Sequence, residues 1–273
     1  MEREDLDGDG DDEGLGGMFA VDEDDYVDVD VARAAAAPPA GAAGLEVASS
    51  ERLRVSDYGA EKFWHTRWDP DADAGYEWYT VSAAELWPVL QPLAHELRLL
   101  DPVPDSDGAA RPRVAELGCG LSRLCLDLAL NHEMQGLLAT DVVPQAVEVL
   151  RATAAKEGLS PPTVDFAVEN ALCTSYADRS FKLVLDKGCA DMFALNNDAG
   201  QLVTYAAEAA RLTADGGYCV VVTAWDLERR VERCKLFAPL RLVSTTLVHQ
   251  HGPAQTNVMV MQRPAIVQQK GLA

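Results

Sequence analysis

Four acids and two glycines in the middle of this 273-residue chain are spaced as a ligand-binding and proton-handling set would require. Glu116-Leu-Gly118-Cys-Gly120 ends the apolar run from Val114 on an acid and two glycines one residue apart. Such glycines let a backbone turn press against a ligand. Asp141 follows 21 residues after Gly120 and ends a second apolar run, where an acid is placed to accept from ribose hydroxyls. Further on, Asp186-Lys187-Gly188 and Asp191 offer carboxylates that could orient or deprotonate a nucleophile. A dinucleotide site wants a third glycine three residues after Gly120, and Arg123 stands there. It also has no need of Glu116. Glu-x-Gly-x-Gly favours an S-adenosylmethionine pocket.

Each residue has a blander reading. The glycines could form a tight turn with no ligand, and Asp141 could cap the helix that starts at Pro144. Val142 beside Asp141 would give adenine an apolar face. Asn170 could meet the adenine amino group with its side-chain oxygen, or Ala171 with its backbone, yet a loop Asn commonly forms its own turn. An Asp186-Lys187 pair is usually a solvated charge pair. Asp5-Leu-Asp-Gly-Asp-Gly10 copies half of a calcium loop, but Gly16 occupies the twelfth position, and no metal is expected. His249 and His251 read as a solvent-facing strand end.

These residues need elements to hold them. Arg113–Leu117, Leu137–Thr140, Thr163–Val168, Phe181–Leu185 and Tyr218–Thr223 read as strands. Ser122–Met134, Pro144–Glu157 and Asp198–Leu212 read as helices between them. This alternation means a parallel sheet covered on both faces. Leu240–His249 and Asn257–Gln262 are joined by His251-Gly252-Pro253-Ala254, too short for a crossover helix, so the last strand must run antiparallel. The expected fold is an α/β Rossmann-like sheet of seven strands, the last antiparallel, flanked by helices. Upstream, Ser82 and Glu85 form a capping box ahead of the stripe Leu86, Leu90, Leu93, Leu97 and Leu100, with Pro88 and Pro92 expected to bend or break that helix.

Charge is uneven. Residues 1–31 carry 14 Asp/Glu and one Arg, leaving −8 of the net −21 for the rest. An acidic head with little to bury reads as disordered, and residues 32–50, rich in Ala, Pro and Gly, as a linker. The domain is placed at 51–265, with 51–112 as an aromatic lead-in and 266–273 as a tail. The acidity counts against nucleic acid and suits a basic protein partner. No apolar run is long enough for a membrane span, and no leader pattern opens the chain. Six scattered cysteines read as reduced thiols, so a cytoplasmic location is expected; a monomer is expected as well.

Tyr58-Gly-x-x-x-Phe-Trp-x-x-Arg-Trp68, Tyr76-Glu-Trp-Tyr79, Glu116-Leu-Gly-Cys-Gly120 and Asp186-Lys-Gly188 with Asp191 together resemble the seven-β-strand (class I) lysine methyltransferases. The resemblance is to the group acting on elongation factor 1-alpha and citrate synthase, and covers roughly residues 56–225. It implies S-adenosylmethionine as cofactor and a protein substrate, such as a translation elongation factor. It places Trp64, Trp68, Trp78, Gly118, Asp141, Val142, Asn170, Ala171 and Lys187 against the cofactor. Tryptophan faces attract a sulfonium cation, although the same aromatics could simply pack on the core. Asn170, Trp68 and Cys189 depart from the group's usual Asp, Tyr and Thr, which bears on adenine selectivity and on the substrate. Competing expectations are a small-molecule methyltransferase, a non-catalytic scaffold of the same fold, and a dehydrogenase.

Overall fold

The computed structural model describes residues 63–65, 78–103, 112–195, 199–251 and 254–265. The acidic head, the linker, Trp68, the half calcium loop and the C-terminal tail lie outside them.

A helix, α1 (Ala83–Glu96), precedes β1 (Val114–Leu117), α2 (Leu124–His132), β2 (Leu137–Asp141), α3 (Pro144–Lys156), β3 (Val164–Val168) and β4 (Phe181–Lys187). Then come α4 (Cys189–Ala194), α5 (Ala199–Leu212), β5 (Thr213–Thr223), α6 (Leu227–Arg233), β6 (Arg241–His251) and β7 (Ala254–Gln262). The seven strands form one sheet in the order β3-β2-β1-β4-β5-β7-β6. β1 to β5 pair in parallel, and β7 runs antiparallel between β5 and β6. The order reverses between β1 and β4, each continuing outward on its own side. In an open α/β sheet that reversal opens a crevice at the carboxyl ends of the two strands.

The central strands are apolar on both faces because both faces are covered. Leu183 and Leu185 of β4 join Leu86, Leu90, Leu124, Leu128 and Leu150 from α1, α2 and α3. Val184 points the other way, into Leu202, Tyr205, Ala206, Ala209 and Phe237. That alternation continues past the apolar run. Asp186 lies on the α5 side, where the Tyr205 phenol donates to it at 2.6 Å. Lys187 lies on the α1 side, where its Nζ donates to the Val81 carbonyl at 3.4 Å. The two charges are neighbours in sequence on opposite faces of a sheet, which rules out a solvated pair.

Three local features differ from expectation. Helix α1 runs unbroken through Pro88 and Pro92, whose positions four apart share an exposed face, so the carbonyls left without an N–H partner can meet water. Its capping box forms as expected, Ser82 accepting from the Glu85 N–H and Glu85 from the Ser82 N–H at 2.8 Å. Strand β5 starts at Thr213, well before the expected Tyr218, because Gly216 and Gly217 make a bulge that leaves Thr213 paired with Phe181. Gly216 has φ +75°, and a Cβ on Gly217 would lie 2.6 Å from the Lys182 carbonyl oxygen. The short helices α4 and α6 had no expectation. No helix among the described residues is long and apolar enough to cross a membrane. All six cysteines are free thiols; Cys119, Cys125 and Cys219 are buried and Cys173 is exposed.

Candidate active site

The carboxyl ends of β1, β2 and β4 bring the acids together. At the end of β1 the chain turns through Gly118 and Gly120, with φ +64° and +53°, the left-handed region that L side chains avoid. The turn is closed by Cys119 N–H to the Thr140 carbonyl at 2.9 Å and by Gly120 N–H to Asp141 Oδ2 at 2.7 Å. Asp141 Oδ1 also accepts from Val143 N–H at 2.9 Å. The sequence left a choice between a ligand acid and a helix cap. The helix cap proper is Val143, which makes no side-chain cap bond, and Asp141 instead braces the glycine turn. Each of its oxygens has one bond from the backbone and capacity for another. Desolvation by burial raises its carboxyl, and those backbone donors and the charge of His65 pull it back.

Glu116 is 1% exposed, and neither of its carboxyl oxygens has a hydrogen-bond partner. The Cys125 thiol stands beside it without completing a bond of ordinary geometry. Burial pushes its carboxyl up to about 8. A buried polar pair of this kind is costly unless something else satisfies it. An amino-acid-like ligand with an ammonium group would do so. Helix α2 opens at Leu124, two residues later than expected, with Ser122 Oγ accepting from Leu124 N–H at 3.1 Å.

Across the crevice, Gly118 meets the first residue of α4. A Cβ on Gly118 would lie 2.5 Å from Cys189 Sγ, so only glycine fits. Helix α4 starts here because Gly188 takes φ +85° and Asp186 accepts from Cys189 N–H at 2.8 Å and Ala190 N–H at 3.0 Å. Asp186 is therefore occupied by three internal donors and 1% exposed, with burial raising it to about 7. Those three bonds fix the start of α4. Lys187 is also buried, which lowers its ammonium to about 7.

Asp191 sits in the first turn of α4. Thr223 Oγ1 donates to its Oδ1 at 2.6 Å, Ala224 N–H to its Oδ2 at 3.1 Å, and the Tyr79 phenol to the same Oδ2. The Tyr79 ring lies over Gly188, where a Cβ would come within 3.2 Å of it. Tyr79 was expected to help Trp64 and Trp78 desolvate an amine, not to bond an acid, and Thr223 carried no expectation. The Tyr76-Glu-Trp-Tyr79 motif flagged the region, but only the fold brings residue 79 to residue 191.

Other expected residues divide. Trp64 and Val142 pack against the cluster of Leu121, Val143 and Ala146, next to the Asp141 turn. Asn170 is exposed and its Oδ1 accepts from Leu172 N–H at 2.9 Å, the turn-forming alternative. Ala171 is buried in the core on the α5 side. Trp78 lies in a short 3-10 turn, Trp78–Thr80, leading into α1. His249, expected to face solvent, pairs with Glu85 Oε1 at 2.6 Å. The described residues hold no cluster of three metal-ligating side chains.

The residues present fit a cationic nucleoside ligand: left-handed glycines on β1, a ribose-height acid on β2, and a partnerless buried carboxyl beneath. Known proteins agree with that fit. Residues 110–261 match the family described as "Methyltransferase domain". Ajmaline N-methyltransferase from Rauvolfia serpentina is 33% identical over 84 residues, which is 30% of this chain and only 28% of that protein's length. The solved [4+2]-cyclase SpnF superposes with a TM-score of 0.51 at 16% identity, over 71% of this chain and 85% of that one. The N-methyltransferase NodS from Bradyrhizobium japonicum, solved with S-adenosyl-l-homocysteine, gives 0.46 at 19% identity, over 65% and 88%. A cyclase among the fold neighbours illustrates that architecture alone does not fix a reaction. The family match spans most of the ordered sheet, so the chain belongs to the methyltransferase domain family, a class I fold with S-adenosylmethionine as its cofactor.

Proposed function

We propose that this methyltransferase acts on an amine, and specifically on the lysine side chain of a protein partner. The observation that carries the reading is the crowding of Glu116, Asp141, Asp186 and Asp191 around one crevice. A lysine arrives as a cation, and acids raised by burial at such a crevice can accept the proton it must lose. When bound, S-adenosylmethionine supplies an electrophilic methyl group on a positively charged sulfur. The protein's own task is then to align the amine and to remove its proton. A free lysine has pKa ~10.4, so roughly one in a few thousand is neutral at pH 7. Desolvation beside Tyr79 lowers that barrier, and Asp186 or Asp191, both raised by burial, would receive the proton.

Gly118, Gly120, Glu116 and Asp141 would hold the donor, with Trp64 and Val142 supporting the nucleoside side. Trp68, Trp78, Asn170, Ala171 and Lys187 complete the set that the Asp-Lys-Gly resemblance suggests. The resemblance and the net charge of −21 support a protein partner with a basic face, an elongation factor being one such protein. We place the protein in the cytoplasm as a monomer. A second reading, a small-molecule substrate, has one observation in its favour: the relative from Rauvolfia serpentina is named for N-methylation of ajmaline.

Incubation with labelled donor and a whole-cell protein extract separates them. Label on a lysine of a protein band, located by mass spectrometry, is the expected result. Label confined to the small-molecule fraction would replace the protein substrate with a metabolite.

A further inference from the structure

We infer that Arg233 binds a carboxylate lying close to the target amine, so that the methylated lysine has an aspartate or glutamate beside it. This rests on the protein-lysine reading above and adds a second recognition element to it.

The guanidinium rests on a fixed shelf. Its central carbon lies over the Trp225 ring, 4.7 Å from the ring centre. Trp225 is 5% exposed and bonded on both sides of its backbone. Its N–H donates to Thr223 Oγ1 at 3.1 Å, and its carbonyl accepts from Asn257 Nδ2 at 3.1 Å. Asn257 stands opposite Thr223 in the β5–β7 ladder, so the antiparallel strand sets the height of the shelf. A ring contact engages the face of a guanidinium and leaves the N–H groups around its rim unmatched. Arg233 makes no hydrogen bond or ion pair among the described residues. It is half-buried, yet none of its nitrogens is sealed from solvent. Its donors are therefore open to an incoming group, and the planar fork they form fits a carboxylate.

The shelf stands beside the acids. Thr223 Oγ1, which accepts from Trp225, donates to Asp191 Oδ1 at 2.6 Å. Ala224, the residue before Trp225, donates its N–H to Asp191 Oδ2 at 3.1 Å. Arg233 and Asp191 act on each other through charge: the guanidinium pulls the carboxyl down against burial, and the carboxylate raises the guanidinium. They are nevertheless not joined, and Asp191 is engaged by Thr223, Ala224 and Tyr79. Asp226, another acid whose charge reaches Arg233, is engaged as the cap of α6, accepting from Arg229 N–H at 2.8 Å. A positive and a negative group thus share one edge of the crevice without cancelling. A substrate carrying an ammonium and a carboxylate close together meets both with the right sign. Docking of its acid on Arg233 would also orient the lysine, and orientation is what an in-line methyl transfer most needs.

The test starts from the extract assay above, in which mass spectrometry locates the labelled lysine. The protein carrying that lysine is then purified in two forms, native and with the neighbouring acid changed to its amide. Both are assayed with the full-length wild-type enzyme and with Arg233→Gln. The wild-type enzyme should lose about 10- to 100-fold in kcat/KM on the amide form, chiefly through KM. Arg233→Gln should lose a similar factor on the native form and then treat the two forms alike, within about twofold. Arg233→Lys, which keeps the charge without the fork, should fall between. Donor affinity by calorimetry should stay within about twofold in both variants, which separates this loss from misfolding. A guanidinium that only covers Trp225 would instead leave the penalty of the amide form equal in both enzymes. That equality, a wild-type kcat/KM for Arg233→Gln, or a labelled lysine with no acid beside it would overturn the inference and leave lysine methylation standing. A wild-type enzyme that labels no protein lysine would overturn the reading beneath it as well.

Discussion

Substitution of Gly118 by alanine offers a quantitative check on how the two halves of the crevice meet. The new methyl group would lie 2.5 Å from Cys189 Sγ and 2.9 Å from Cys189 Cβ, at a residue with φ +64°. Two costs add. The left-handed backbone costs a non-glycine residue about 1–2 kcal/mol, and forcing atoms into a filled site costs about 1–3 kcal/mol. Together these give a destabilisation of roughly 2–5 kcal/mol, which at a urea slope of about 2 kcal/mol per molar moves the midpoint down by about 1–2.5 M. The contact part can be isolated. Cys189→Gly removes both close atoms and leaves Cys189 Cα at 4.0 Å, an ordinary separation. Equilibrium urea unfolding of both single variants and the pair gives the coupling directly. Gly118→Ala/Cys189→Gly should be more stable than the sum of the singles by about 1–3 kcal/mol, while the backbone cost remains. An unshifted midpoint for Gly118→Ala, or strict additivity in the pair, would refute the claim that glycine is required by Cys189.

Asp141→Ala should abolish donor binding in calorimetry and lower stability by about 1.5–3 kcal/mol, because Gly120 and Val143 N–H groups lose a charged acceptor. Retained donor affinity would sink the assignment. Burial holds Glu116 at about 8, above its usual range, so the folded state takes up a proton that the unfolded chain releases. Between pH 5 and 7 this group makes stability fall as pH rises, with a slope near 1.4 kcal/mol per unit, and Glu116→Gln should remove that slope in urea melts across the range. Lys187, lowered by burial to about 7, acts oppositely above that pH, where the unfolded chain keeps its proton and stability rises with pH. Arg211 donates to both oxygens of Glu208, to the Tyr176 carbonyl and to Asp178. Arg211→Ala should therefore cost about 1.5–3 kcal/mol and raise hydrogen exchange over residues 170–178. Unchanged exchange there would show that the clamp is idle.

The parallel strands and the ends that carry Glu116, Asp141 and Asp186 were legible because strands buried on both faces spell themselves as continuous apolar runs. The terminal hairpin was legible from the shortness of its connection. Helix α4 was not: six residues are less than two turns, too few for a periodic stripe, and its start depends on a carboxylate three residues upstream. Helix α6 had a readable signal in Asp226, whose side chain accepts from Arg229 N–H at 2.8 Å. The fates of Asp186 and Asp191 could not be separated from sequence. The partner each acid finds depends on the fold, which brings Tyr205 to Asp186 and Tyr79 to Asp191. Pro88 and Pro92 misled for a physical reason, since a proline's harm depends on whether the carbonyl it orphans can find water.

Strand β4 has a further consequence for tolerated change in this sequence. Its alternation sends residue 186 under α5 and residue 187 toward α1, so the strand is a phase counter as well as a support. Deleting or inserting a single codon between Phe181 and Lys187 would swap the compartments, driving an ammonium under the Tyr205 hydroxyl and a carboxylate against the Val81 carbonyl. Length variants should consequently accumulate before Phe181 or after Leu195 and be purged in between.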